Sequence, residues 1–426
     1  MDRIRIEGGH RLVGEVGVGG AKNASLPLMA AALLADSPSR LERIPHLQDI
    51  VSMGHMLEHL GARVTRADGG LTIDPAGFRD AEAPYDLVRK MRASYYVLAP
   101  LVSRFGHARV SLPGGCVIGP RPVDLHLRGL EALGAEIRIE HGYIEACAPR
   151  EGLCGAECVL AGPAGSSVGA TCNFLMAAVL ARGRSVLRAA AREPHVTDLV
   201  GFLVAMGARI NGIGTSVLEI EGVERLSGVI YRVIPDQIEA GTLMVAAAMT
   251  QGDVVIRDCR PDHMAAEIEK ILEMGAHVAV ENTGMRVTNG AALRPVTVRT
   301  LPYPGFPTDT QAQFMAAMCL AKGRSKVIET IFPERFIHVA ELNRMGANIT
   351  VSNGTATVRG VRKLSGATVM ASDIRASASL VLAGLVAEGT TEILRVYHLD
   401  RGYECLEGKF RSLGAVIERI SAAPAQ

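Results

Sequence analysis

Two helical patterns of hydrophobic and polar positions recur six times along the chain. In the first, the apolar residues fall on one face: Met264, Ile268, Ile271 and Leu272 stand at i, i+4, i+7 and i+8, the spacing of an amphipathic helix. A Leu-Gly-Ala or Met-Gly-Ala tripeptide closes each such segment, its glycine being Gly61, Gly134, Gly207, Gly275, Gly346 or Gly414. The intervals are 73, 73, 68, 71 and 68 residues, so the tripeptide marks an internal repeat. A glycine just past the last periodic residue predicts a helix C-cap. A short alternating strand follows, as where Ile137 and Ile139 are set between Glu136, Arg138 and Glu140.

The second pattern is apolar nearly all round and rich in alanine. Its copies read KNASLPLMAAALL, RASYYVLAPLVSRFG, GATCNFLMAAVLARG, AGTLMVAAAMTQG, DTQAQFMAAMCLAKG and RASASLVLAGLVAEG. A helix without a polar face is a buried helix. Each is followed by a strand such as DVVIRD or TTEILRV and then by a link into the amphipathic helix. The repeat therefore predicts an α/β protein with Ala-rich helices inside and sheets and amphipathic helices around them, three repeats to a domain. A chain of 426 residues is too long for one ordinary core. One domain is expected over residues 22–234 and a second over 235–426. The strand-like stretch DRIRIEGGHRLVGEVGVGG lies outside the six-fold pattern. It is expected to complete the second domain as residues 1–21, so that the chain crosses twice.

Composition narrows the function. Aromatic residues are 4% and tryptophan is absent, so the core is aliphatic. Lys and Arg number 45 against 44 Asp and Glu, which leaves no overall field for nucleic acid or an anionic membrane. No apolar run reaches the roughly 20 residues of a membrane span, and the opening MDRIRIE is not a signal peptide. A cytoplasmic protein is expected. Its eight cysteines then read as free thiols. Cys147, Cys154 and Cys158, with His141 upstream, lack the paired spacing of zinc modules, and no metal site is predicted.

The candidate chemistry gathers at the starts of the buried helices and in two links. Lys22 and Asn23 open the first copy, Arg92 the second, Asp309 the fifth, and Arg375 the sixth with Asp373 just before it; the third follows SSVGAT. Helix starts present unpaired N–H groups and partial positive charge, so a cation there is at the wrong end and calls for a compensating anion. Phosphate or carboxylate is the expected ligand. The link LPGGCVIGPRPVDLH places Cys116 on a Gly/Pro loop five residues before Arg121. A thiol near an arginine is expected to ionise more readily than a free one. The corresponding link of the last repeat, RVYHLDRGYE, carries Arg401.

At these residues the chain resembles the enolpyruvyl transferases, and among them the UDP-N-acetylglucosamine 1-carboxyvinyltransferases. The resemblance runs through GAKNASLPLMAAALL, MRAS, LPGGCVIGPRPVDLHLRGL, SVGAT, AREPHVTD, FPTDTQAQF, RFIHVAELNRMGA, ASDIRASASLVLAG and YHLDRGYE. The repeat alone is shared with 5-enolpyruvylshikimate-3-phosphate synthases and, more distantly, RNA 3′-phosphate cyclases. The resemblance implies two inside-out α/β barrels of three repeats each, with the active site in the cleft between them. It implies transfer of the enolpyruvyl group of phosphoenolpyruvate to the 3-hydroxyl of UDP-N-acetylglucosamine, the first committed step of peptidoglycan precursor synthesis. Lys22, Arg121 and Arg401 look like phosphoenolpyruvate ligands. Cys116 looks like the cysteine that acts as general acid or adds covalently, the target of fosfomycin. Asp309 resembles the general base. Asn23, Arg92, Arg121, Pro122, Val123, Asp124, Leu125, Ser167, Val168 and Gly169 resemble contacts to the UDP-sugar, with Ile331 beside it. Asp373 and Arg375 resemble partners that hold the site. The implied partners are the two small-molecule substrates, with no metal or organic cofactor and no nucleic acid or membrane. Two alternatives stay open: a transferase for another acceptor (shikimate 3-phosphate or a different nucleotide), and an inactive binding paralogue.

Overall fold

The computed structural model of the chain describes residues 2–79, 82–89, 91–112 and 123–421, with every side chain among them except that of Arg92. It divides into two compact units, one formed by residues up to Gly19 and from Pro235 onward, the other running from Gly20 to Ile234.

The first unit holds three four-stranded sheets of one topology. In the first of them Val13–Gly17 lies parallel to Asp253–Arg257, which pairs antiparallel with Gly284–Thr288, itself the hairpin partner of His277–Glu281. The same order, a parallel pair followed by an antiparallel hairpin, is built from Thr297–Arg299, Arg324–Ile328, Thr355–Arg359 and Asn348–Ser352. The third sheet uses Thr368–Met370, Thr390–Leu394, Arg3–Glu7 and Val416–Ile420. The two N-terminal strands thus fill the places that the fourth and sixth repeats leave open.

The second unit repeats the plan. Ile230–Arg232 lies parallel to Ser39–Glu42, ahead of Gly70–Asp74 and Arg63–Ala67. Glu157–Val159 does so beside Arg184–Arg188, ahead of Val217–Glu221 and Arg209–Asn211. In the third large sheet the strands are His107–Ser111, Tyr143–Cys147 and Glu136–Glu140, and the parallel position is held by the single bridge of Ala83 to Val110. Among the described residues the sheets of a unit are separate ladders.

The Ala-rich segments are the buried helices. Gln237–Met249 is buried from Ile238 to Met249, and Ile374–Val386 from Arg375 to Leu385. Their small side chains let Gln311–Met318 pack directly against Ile374–Val386 in the first unit. In the second unit Lys22–Ala31, Leu98–Phe105 and Val168–Ala178 hold the same place.

The tripeptide ends the six amphipathic helices by one mechanism. All six glycines have positive φ, between 89° and 110°. The alanine after each sends its N–H back to the carbonyl five residues earlier, as Ala62 to Leu57 and Ala276 to Ile271. This is the Schellman closure, in which a left-handed residue lets the chain satisfy carbonyls that the helix leaves unpaired. Among the described residues, no helix is long and apolar enough to cross a membrane.

Candidate active site

In the second unit the buried helices start without acidic caps. Ala21 precedes Lys22–Ala31 in extended conformation and offers no side-chain acceptor. Lys22 is nonetheless buried, and its Nζ lies 3.4 Å from Oδ2 of Asp49. Asp49 stands in the first turn of Gln48–His59, where negative charge is favoured. A cation at an unfavourable helix end is thus met by an anion at a favourable one. Arg92 opens a 3-10 turn, Arg92–Val97, that leads into Leu98–Phe105, again without a side-chain cap. Asn23 is partly buried in the first helix.

A second constellation in this unit brings two sequence-distant stretches together. Val123 precedes the helix Asp124–Ala132, which packs on Val168–Ala178. Nδ2 of Asn173 lies 2.7 Å from Nδ1 of His126. The His126 ring lies so close over Gly169 that a Cβ there would stand 2.6 Å from it, so any larger residue would have to displace the ring. Ser167 caps its helix by accepting the N–H of Ala170. His126, next to Leu125, is thus held against Gly169 and Asn173 of the facing helix. Cys116, Arg121 and Pro122 lie outside the described residues.

The first unit has the opposite character. Each of its buried helices is preceded by an aspartate: Asp236, Asp309 and Asp373. Asp236 caps by accepting from Ile238 and Glu239, and Asp373 by accepting from Arg375 and Ala376. Asp309 stands one residue before the capping position of Thr310. Its two carboxylate oxygens each meet a guanidinium: Oδ1 lies 2.8 Å from Arg335 and Oδ2 lies 3.2 Å from Arg375. Both arginines are buried, and Asp309 keeps 27% of its side chain exposed. Burial works against the charge on Arg375, but Asp309, Tyr403 and Asp236 outweigh it and raise its pKa. Nε2 of Gln313 reaches Thr242, the carbonyl of Asp309 and the hydroxyl of Tyr403.

Glu329 organises the other side of this cluster. Its Oε1 accepts from Thr300 Oγ1, Ile331 N and Phe332 N at 2.8, 2.9 and 2.9 Å. Its Oε2 accepts from Thr308 Oγ1 at 2.9 Å, and the same hydroxyl accepts from Arg335 Nη1 at 3.0 Å. His338 is buried close to Arg335 and Asp373, and burial lowers its pKa to about 4. Arg401 closes the 3-10 turn Val396–Arg401.

Cations at helix starts call for a compensating anion. For Lys22 and Arg375 the protein supplies a compensating carboxylate itself, Asp49 and Asp309. Asp49, Arg335, Glu329 and Asp236 were missed. The Asp-before-helix position shared by residues 236, 309 and 373 is a signal that the repeat carries in sequence. The partners 27 and 66 residues apart carry none. The thiols of Cys147 and Cys154 are exposed, and that of Cys158 is buried, which pushes its pKa up. Among the described residues no three His, Cys, Asp or Glu side chains are grouped to hold a metal.

The EPSP synthase family (3-phosphoshikimate 1-carboxyvinyltransferase) matches residues 6–410. The chain belongs to this family of carboxyvinyltransferases. Within it, the chain is 55% identical over 421 residues to the UDP-N-acetylglucosamine 1-carboxyvinyltransferase of Desulfosudis oleivorans, covering 99% of this chain and all of that one. It is 56% identical over 421 residues to the protein of the same name from Desulforapulum autotrophicum, with the same coverage. The solved enolpyruvyl transferase NikO from Streptomyces tendae superposes with a TM-score of 0.88 at 28% identity, covering 99% of both chains. EPSP synthase from Acinetobacter baumannii gives 0.75 at 19% identity, which shows the shared fold. The chain is thus a transferase, and its two α/β units are those of the family.

Proposed function

We propose that the chain transfers the enolpyruvyl group of phosphoenolpyruvate to the 3-hydroxyl of UDP-N-acetylglucosamine, in the cytoplasm, as the first committed step of peptidoglycan precursor synthesis. Relatives of that name, more than half identical over the full length, support the choice of acceptor. The observation that carries the chemistry is Asp309, a partly exposed carboxylate fixed by two buried guanidiniums.

The reaction exchanges one C–O bond for another. The sugar oxygen bonds to C2 of phosphoenolpyruvate while C3 gains a proton. That proton is lost again as the bond from C2 to the phosphate oxygen breaks. Asp309 takes the hydroxyl proton. A carboxylate offers about four lone-pair sites, so it can be oriented by guanidiniums and still act as a base. Lys22, Arg121 and Arg401 hold the phosphate and carboxylate of phosphoenolpyruvate through the changes of charge. Cys116 supplies the acid at C3 or adds covalently. Asn23, Arg92, Pro122, Val123, Asp124, Leu125, Ser167, Val168, Gly169 and Ile331 hold the UDP-sugar, Arg375 holds the base, and Asp373 caps the helix that carries Arg375.

Asp309→Asn keeps the shape and removes the base. It should leave UDP-N-acetylglucosamine binding intact and lower turnover by roughly 10²–10⁴-fold, the range that a positioned base contributes. Near-normal turnover in the purified variant would reject the assignment.

A further inference from the structure

We propose that Glu329 is a positioning residue, a buried carboxylate that sets the turn at Ile331 and, through Thr308 and Arg335, the orientation of Asp309. The inference rests on Asp309 being the base and Ile331 lying against the nucleotide sugar.

Glu329 is 3% exposed and sits at the end of the strand Arg324–Ile328. A buried carboxylate is tolerable only when hydrogen bonds replace its water. Glu329 accepts four, which is about the capacity of the group. All four donors are neutral: two hydroxyls and two backbone N–H groups. Its nearest cation in this network, Arg335, is one hydroxyl away. If the carboxylate served only to close the turn at Ile331 and Phe332, one oxygen would be enough. The second oxygen is spent on Thr308.

That contact fixes a direction. A threonine hydroxyl has one hydrogen. Glu329 accepts it at Oε2, so Thr308 can meet Arg335 only as an acceptor. The Nη1 of Arg335 donates to Thr308 Oγ1 at 3.0 Å and stands in an ion pair 2.8 Å from Asp309 Oδ1. One amino group thus carries both the hydrogen bond to Thr308 and the ion pair to Asp309. Rotation that broke the bond to Thr308 would also move the charge that faces Asp309. On its other oxygen the same carboxylate fixes the backbone of Ile331. Sugar contact and base are thus set from one buried charge. Thr300 fastens the assembly from the neighbouring strand, its hydroxyl donating to Glu329 while accepting the N–H of Thr330.

Thr308→Val removes the relay and leaves the turn at Ile331 intact. Steady-state kinetics should show kcat lowered roughly ten- to hundredfold, the effect of one lost hydrogen bond to a charged group. Kd for UDP-N-acetylglucosamine should be unchanged. Thr308→Ser retains the hydroxyl and should restore most of the turnover, a rescue that a merely structural role would not require. Should the valine not fold, Thr308→Ala removes the same hydroxyl with less bulk. Glu329→Gln cannot accept with both groups and should lower kcat as the valine does. Glu329→Ala should also raise KM for the nucleotide sugar. Wild-type kcat in Thr308→Val and Thr308→Ala, or a serine variant no better than valine, would overturn the proposal. Asp309→Asn in the same assay separates the two levels. If it is inactive while the Thr308 variants are unaffected, only the positioning role fails. If it is active, the assignment of the base fails first.

Discussion

Replacing Glu267 with glutamine removes an ionisable group whose charged form the fold resists. Glu267 lies in the first turn of Ala265–Glu273, is 2% exposed, and its Oε1 has no hydrogen-bond partner. Burial pushes its carboxyl from the ordinary 4.5 up to about 8, opposed only by its own backbone N–H. The folded chain therefore keeps this proton at neutral pH, where the unfolded chain releases it. Between about pH 4.5 and about pH 8 the folded state binds the extra proton, so stability falls as pH rises, by about 1.4 kcal/mol per pH unit. The contribution is intact below about pH 4.5 and is lost as pH passes through about 8. Over that interval the decline is about 5 kcal/mol, a ceiling that local relaxation reduces. Glu267→Gln has the same shape and does not titrate. Urea unfolding of both proteins from about pH 5 to about pH 9 should show the variant gaining on wild type with rising pH and levelling above about 8. A difference independent of pH would mean that Glu267 is not held neutral, and the reasoning from burial would be refuted.

Lys22→Ala should weaken phosphoenolpyruvate binding by about 1.5–3 kcal/mol in calorimetry, the size of a charge-assisted contact; unchanged affinity would remove Lys22 from the site. His338 has its pKa lowered to about 4 by burial, with Arg335 adding to the effect and Asp373 opposing it. Its contribution to stability is therefore present above about pH 6.5 and lost as pH falls through about 4. His338→Gln should flatten that acid-side loss in thermal melts, and an unaltered profile would contradict it. Cys116 should be the thiol alkylated by fosfomycin, faster with UDP-N-acetylglucosamine present, and Cys116→Asp should keep some activity and escape. Peptide mapping that places the adduct on Cys147, Cys154 or Cys158 would deny Cys116 its role.

What the sequence reveals of this fold is what local physics determines. The tripeptide marks helix ends because its glycine takes positive φ and its alanine completes the closure within six residues. The Ala-rich segments announce burial because they have no polar face. The pairing of Arg3–Glu7 with Thr390–Leu394 is less legible, since the strand's partners lie at the other end of the chain. The site divides in the same way. Asp309 and Arg375 are visible at helix starts, but their pairing joins residues from different repeats. Glu329 reads in sequence as a polar residue at a strand end, and only its four donors reveal a buried hub. Arg335 follows the turn that Glu329 holds, so its aim at Asp309 depends on contacts that no spacing encodes.

The most direct test of the proposed reaction is phosphate release from phosphoenolpyruvate by the purified chain with each acceptor in turn. With UDP-N-acetylglucosamine, phosphate should appear in step with a nucleotide sugar heavier by one enolpyruvyl group, and shikimate 3-phosphate should give none. Release with shikimate 3-phosphate alone, or with neither acceptor, would contradict the account.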